Sequence, residues 1–166
     1  MNVRRLQGLA LILSTVCLLI GLFVSKTPVL EVSVVIGILL FMLGIPAVSS
    51  AQPGGWVGAA GIVLLELAAL IALGFRLDLV ASGLSDSLSL TSAILAMLGA
   101  LLIGWLTIRE RGFPAWVGWM FLAQGVLNFL AGLFHVGSAA GGLPILISVL
   151  YSVALVAYGY FIYEME

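Results

Sequence analysis

Six apolar runs, each close to 20 residues long, fill most of this chain and constrain it more than any other feature. They cover residues 6–24, 30–48, 56–75, 88–108, 115–134 and 143–162. A helix needs roughly 20 apolar residues to cross a hydrocarbon core about 30 Å thick. Backbone surrounded by lipid must also satisfy its own hydrogen bonds, which a helix does. The sequence therefore predicts an all-α, polytopic membrane protein with six transmembrane helices in a compact bundle. Residues 1–166 form a single transmembrane domain in this reading, and no connection is long enough to house a soluble one. Composition agrees: 63% of residues are hydrophobic and only 8% charged, against about 25% charged in soluble domains. A net charge of −1 provides no basic field for nucleic acid.

Arg4 and Arg5 before the first run resemble the start of a secretory signal peptide. The run is longer than the usual h-region of about 7–15 residues, however, and no small-x-small cleavage site follows. Val16 before Cys17, with apolar sequence continuing beyond, makes a poor lipoprotein signal. The run is read as a retained first helix.

Orientation follows from the basic residues. With the N-terminus inside, Arg4, Arg5, Arg109 and Arg111 are cytoplasmic, whereas Lys26 and Arg76 are outside. An even number of spans then places both termini in the cytoplasm, in what is expected to be a prokaryotic plasma membrane. Trp56, Trp105, Trp116 and Trp119 fall near the same interface, and Tyr158, Tyr160 and Tyr163 are expected to join them. Amphipathic rings prefer the headgroup level. On the outer side, Leu77, Val80, Leu84 and Leu88 recur at helical spacing opposite Asp78, Ser82, Ser85 and Asp86. That pattern suits a short amphipathic surface helix, or else an extended connection weakened by Gly83.

An offset of 60 residues matches Gly44 with Gly104 and Trp56-Val57-Gly58 with Trp116-Val117-Gly118. The second and third spans then read as a helical hairpin repeated, in parallel, by the fourth and fifth. Chance matching in a chain rich in Leu, Ala and Gly is the alternative. Small residues supply the expected packing surfaces, since helix association in lipid rests on close approach. Gly118, Gly125 and Gly132 are spaced by seven on the fifth span, and Gly58 and Gly61 share a side of the third with Ala68 and Ala72.

Glu66 is the one ionisable residue central in a span, ten residues after Trp56 and so about 15 Å into the core. A charge at that depth is costly and marks a functional candidate. Gln124 and Asn128 on the fifth span reach depths of roughly 12 and 18 Å, bracketing Glu66. With His135 they fall within about 40° of one another on the helix surface. The candidate ligand or proton site is therefore Glu66, Gln124 and Asn128, with His135 at its outer mouth. Tyr151 and Ser152 stand near the same depth on the last span. The plainer alternative makes these side chains glue between helices, worth about 0.6 kcal/mol on average.

Other chemistries lack their residues. One histidine and one cysteine exclude a bis-histidine haem and make a His/Cys/carboxylate metal cluster untenable. No span carries a lysine, no glycine-rich phosphate loop occurs, and no catalytic triad can be assembled. No cofactor, no metal and no catalytic residue is expected, and an enzyme is disfavoured. Two roles remain: a non-catalytic membrane subunit, binding protein or scaffold, and a small-solute or proton-coupled carrier or channel-like protein using the Glu66/Gln124/Asn128 site. The partners expected are the lipid bilayer and further copies of the chain or a larger membrane complex.

Overall fold

The computed structural model describes residues 2–23, 28–52, 54–80, 82–110, 112–133 and 142–165. The elements are α1 (Val3–Phe23), α2 (Pro28–Gly44), α3 (Pro46–Ser50), α4 (Gly55–Arg76), α5 (Ser85–Glu110), α6 (Ala115–Leu133) and α7 (Gly142–Glu164). No strand occurs among the described residues. Five segments are long and apolar enough to cross a membrane: α1, α2 together with α3, α4, α5 and α7. The corresponding stretch of α6, Ala115–Ala131, is shorter.

The run at 30–48 is one span, as expected, built from a helix and a short second piece. Pro46 is the first residue of α3 and has no N–H to continue the ladder of α2. Ile45 still bonds back to the Phe41 carbonyl at 2.9 Å, so the break bends the chain without severing it.

Around the bundle the helices follow the order α2, α1, α7, α6, α5, α4, and a slight contact between α4 and α2 closes the ring. Thus α1 sits between α2 and α7, while α5 sits between α4 and α6. Glycine permits the close crossings. A methyl on Gly118 would stand 2.6 Å from the Gly104 carbonyl oxygen, and one on Gly104 would stand 2.8 Å from that of Gly118. Gly8 and Gly159 face each other in the same way across α1 and α7, at 2.7 and 2.6 Å. Gly58 and Gly61 pack against Leu106 and Ile103 of α5, and Gly125 packs against Ala100. Four of the five glycines expected to pack on α4 and α6 therefore make their contacts within the chain; the surroundings of Gly132 lie outside the described residues.

Burial is inverted relative to a soluble protein. The outer faces carry Leu13, Val16, Ile36, Leu39, Val63, Leu67, Ile94, Leu98, Val149 and Val153, all exposed. Surface of this kind and extent suits acyl chains as solvent. Buried Ser14 and Thr15 both donate to the Leu11 carbonyl, at 2.7 and 3.0 Å, so neither hydroxyl costs α1 an unsatisfied group. Trp56, Trp105, Trp116 and Trp119 are exposed at the end of the bundle that carries both termini. At that end the Arg5 guanidinium lies over the Tyr163 ring at 5.5 Å, and Arg109 lies over Trp105 at 5.2 Å.

Two expectations are corrected. Tyr158 is not an interfacial ring like Tyr160 and Tyr163 but a wholly buried one, held by a hydrogen bond to Thr107. The connection after α4 is no amphipathic surface helix. Leu79 N–H bonds to the Gly74 carbonyl at 3.0 Å and Asp78 N–H to that of Phe75 at 3.4 Å, around Asp78 at φ +52°. This is a Schellman end with aspartate in the left-handed position usually given to glycine. A single 3₁₀ turn (Ser82–Leu84) then leads into α5 at Ser85. Gly44 and Gly104, matched by the 60-residue offset, have different neighbours: Gly44 meets Leu11 and Gln7 of α1, whereas Gly104 meets α6.

Candidate functional site

The two ends of the bundle are filled differently. At the terminal end, α3 and the α5–α6 connection bring bulky side chains onto the axis. Phe113 and Phe121 meet the Tyr158 ring edge-on, with centroids 5.0 and 5.6 Å away. Gln52, 5% exposed, donates from Nε2 to Thr107 Oγ1 at 2.9 Å. Thr107 donates its own proton to the Ile103 carbonyl at 2.9 Å. The Tyr158 hydroxyl, 2.7 Å away, is then the donor to Thr107, because a threonine hydroxyl has one proton. One buried chain so ties the turn before α4 to α5 and α7. Its single orphan is Gln52 Oε1, which is buried without a hydrogen-bond partner among the described residues.

Above this plug the axis is hollow. A cavity of about 330 Å³ is lined from all six long helices, and it shares Ala72, Arg76, Ser92, Ala96 and Asn128 with an outer chamber of about 740 Å³. Along α4 the lining runs from Leu65 to Arg76, a depth of about 16 Å at 1.5 Å per residue. The walls differ in kind. Val34, Ile38 and Phe41 of α2, with Leu65, Ala68, Ala69 and Ala72 of α4, make one side apolar. Gln124 and Asn128 of α6, Tyr151 of α7 and Ser92 of α5 make the other polar. The Tyr151 ring is braced by Phe41 and Phe121, at centroid distances of 6.0 and 6.3 Å. Ser92 is committed to the α4 backbone, donating to the Ala68 carbonyl at 3.1 Å. The side chains of Gln124 and Asn128 and the Tyr151 hydroxyl make no hydrogen bond among the described residues. Polar groups with unspent hydrogen bonds around a hollow of this size are the makings of a small-molecule site.

Of the residues expected to form a site, Gln124 and Asn128 come together on this wall, one turn apart on α6. Glu66 is not among the lining residues. Leu65 takes the inward position, and Glu66 stands about 100° round the helix from it. Gly61 and Ala68 mark the flank of α4 that meets α5, through Ile103 and Ser92. Glu66 is on the opposite flank, towards the seam with α2, half-buried and without a hydrogen bond or ion pair among the described residues. His135 lies outside the described residues, and among those described no cluster of three metal-ligating side chains occurs.

Sequence reasoning passed over Arg76, which lines both chambers. Its signal was present: Arg76 follows Leu65, Ala69 and Ala72 at spacings of eleven, seven and four on one helical face. It also passed over Gln52 and Thr107, whose partners are distant in sequence. Comparison with family models, with characterised proteins and with solved structures finds no match to this chain.

Proposed function

We propose that this chain is a membrane-embedded binding protein that holds a small solute in the six-helix cavity, in contact with Gln124, Asn128 and Tyr151. The observation that carries this reading is the polar wall itself, whose amide groups make no hydrogen bond among the described residues. The scaffold alternative needs small-residue faces turned outward to a partner. Instead, Gly8, Gly58, Gly61, Gly104, Gly118, Gly125 and Gly159 are all consumed by contacts within the chain. Among the described residues neither a nucleophile–base pair nor a metal cluster lines the cavity, so nothing there supports catalysis.

Arg4, Arg5 and Arg109 lie at the plugged end and Arg76 at the hollow one. By the positive-inside rule the termini are cytoplasmic and the cavity opens on the far side of a cell membrane. A second reading, a carrier with its inner side shut, is favoured by the Gln52–Thr107–Tyr158 chain beneath the cavity, a breakable contact where a gate would be.

The test is a thermal-shift screen of small metabolites on protein in lipid nanodiscs, repeated on Asn128→Leu and Gln124→Leu. The expected result is stabilisation of the wild type by one chemical group of compounds, lost in both variants. Hits that persist in both variants would sink the binding reading. Flux of the hit compound into proteoliposomes, abolished by Thr107→Val, would favour the carrier.

A further inference from the structure

Resting on that binding reading, we infer that the cavity selects small organic anions, with the negative group at Arg76 and the remainder of the molecule between the polar and apolar walls. Arg76 is the one charged residue among the described lining of either chamber, and no carboxylate lies on it. Among the described residues the guanidinium forms no ion pair. Asp78, two positions on, occupies the left-handed position of the Schellman turn that ends α4 and is exposed, as is Asp86 at the start of α5. The α4 C-terminus would attract a cation to its own carbonyls, yet the groups facing the interior from α5, α6 and α7 are neutral donors and acceptors. An arginine fork presents several N–H donors to a carboxylate, sulfonate or phosphate and stays charged at every accessible pH.

The apolar wall decides between an organic and an inorganic anion. Phe41, Ile38 and Leu65 can offer a bare ion no hydration, so a sulfate or chloride drawn inward would lose water without replacement. A hydrocarbon portion gains from the same wall. The inner chamber, about 330 Å³, has room for roughly eleven water volumes of about 30 Å³ each. A molecule of similar bulk, charged at one end, spans from Arg76 to the level of Leu65, with Asn128 and then Gln124 along its polar edge.

The experiment uses Ala69→Cys in a Cys17→Ala background, in nanodiscs of zwitterionic lipid. Ala69 lines the cavity seven residues deeper than Arg76, or about 10 Å along α4. Thiol modification is timed with three methanethiosulfonate reagents: neutral methyl, anionic 2-sulfonatoethyl and cationic 2-trimethylammonioethyl, each normalised to its rate with free 2-mercaptoethanol. We expect the methyl reagent to react and the anionic reagent to outpace the cationic one by about ten-fold or more. Arg76→Gln should bring the two within about two-fold, and Arg76→Lys should keep the preference. Hexanoate should slow the methyl reagent, and sulfate at equal ionic strength should not. A cationic reagent as fast as the anionic one, or a preference untouched by Arg76→Gln, overturns anion selection. Hexanoate protecting no better than sulfate overturns the organic part. If the methyl reagent cannot reach Ala69→Cys at all, it is the cavity reading beneath this inference that falls.

Discussion

The plugged and hollow ends of this bundle are built from the same six helices and the same residue types, yet they solve opposite problems. At the plugged end Gln52 Nε2, Thr107 and Tyr158 are joined in one hydrogen-bonded chain that leaves Gln52 Oε1 without a partner among the described residues, and glycines bring backbones into direct contact. At the hollow end the amides of Gln124 and Asn128 line the cavity, and two glycines at its outer rim have room. A methyl on Gly74 would meet Val80 at 3.5 Å, and one on Gly83 would meet nothing within 4 Å. Stability is concentrated where hydrogen bonds are closed, and recognition is available where they are left open.

Substitution at glycine should separate the two ends most sharply. Gly118→Leu forces a side chain into the Gly104 carbonyl 2.6 Å away, where only backbone movement can make space. The expected loss exceeds about 3 kcal/mol, the upper range for overpacking, read as failure to recover a folded bundle from mild detergent. Gly118→Ala should cost about 1–3 kcal/mol and keep the result interpretable if the larger variant does not fold. Gly74→Ala should do the reverse and stabilise by roughly 0.5–1 kcal/mol through helix propensity. Equal effects at the two positions would erase the distinction between the ends.

Next in size is the buried chain at the plugged end. Thr107→Val strands Gln52 Nε2 and the Tyr158 hydroxyl together, and an unsatisfied buried group costs about 1–3 kcal/mol. Tyr158→Phe removes one donor and leaves Thr107 its bonds to Ile103 and Gln52, so it should cost about 1 kcal/mol or less. In unfolding titrations the double variant should therefore be less destabilised than the sum of the singles. Strict additivity would mean that the three side chains do not act as a unit.

How much of this was legible in the sequence depends on the range of the interaction. Helix positions were, because a 20-residue apolar run is a local signal set by membrane thickness. The α6 stripe was legible too, since Gln124, Asn128 and the adjoining glycines are fixed relative to one another by helix geometry alone. What could not be read was the rotation of one helix against another. An error of one residue on α4 exchanges Leu65 for Glu66 on the inward face, about 100° apart, and both lie at the same depth. Burial of Tyr158 was hidden for a similar reason: its neighbours Tyr160 and Tyr163 are exposed, and only the distant Thr107 distinguishes it. The break at Pro46 was visible as a proline near a span end, but its role in forming the plug is tertiary.

On the hollow wall, polar-to-apolar changes should leave stability almost untouched while abolishing binding. Gln124→Leu and Asn128→Leu remove groups that have no hydrogen-bond partner among the described residues, so no hydrogen bond among those residues is lost. Each variant should unfold within about 1 kcal/mol of the wild type, on the stabilising side if the amides are solvated by trapped water. A loss as large as that of Thr107→Val would show that these amides are bonded in the membrane after all, and the contrast between the ends would fail.

The smallest effect is expected at Glu66, and it bears on which face of α4 does the work. Glu66→Gln keeps the shape and the hydrogen-bonding groups and removes the ionisable one, while Glu66→Leu removes all polarity on the α2 flank. Because the carboxylate has no partner among the described residues and does not line the cavity, neither variant should be less stable than the wild type by more than about 0.5 kcal/mol. Reagent access to Ala69→Cys should also be unchanged. Leucine at this position should be the more stable of the two in lipid, since a carboxylate or amide half-exposed to acyl chains is costly. If Glu66→Gln alone alters access or binding, the α2–α4 seam opens onto the cavity, and the carboxylate stands at a side entrance instead of on an inert flank.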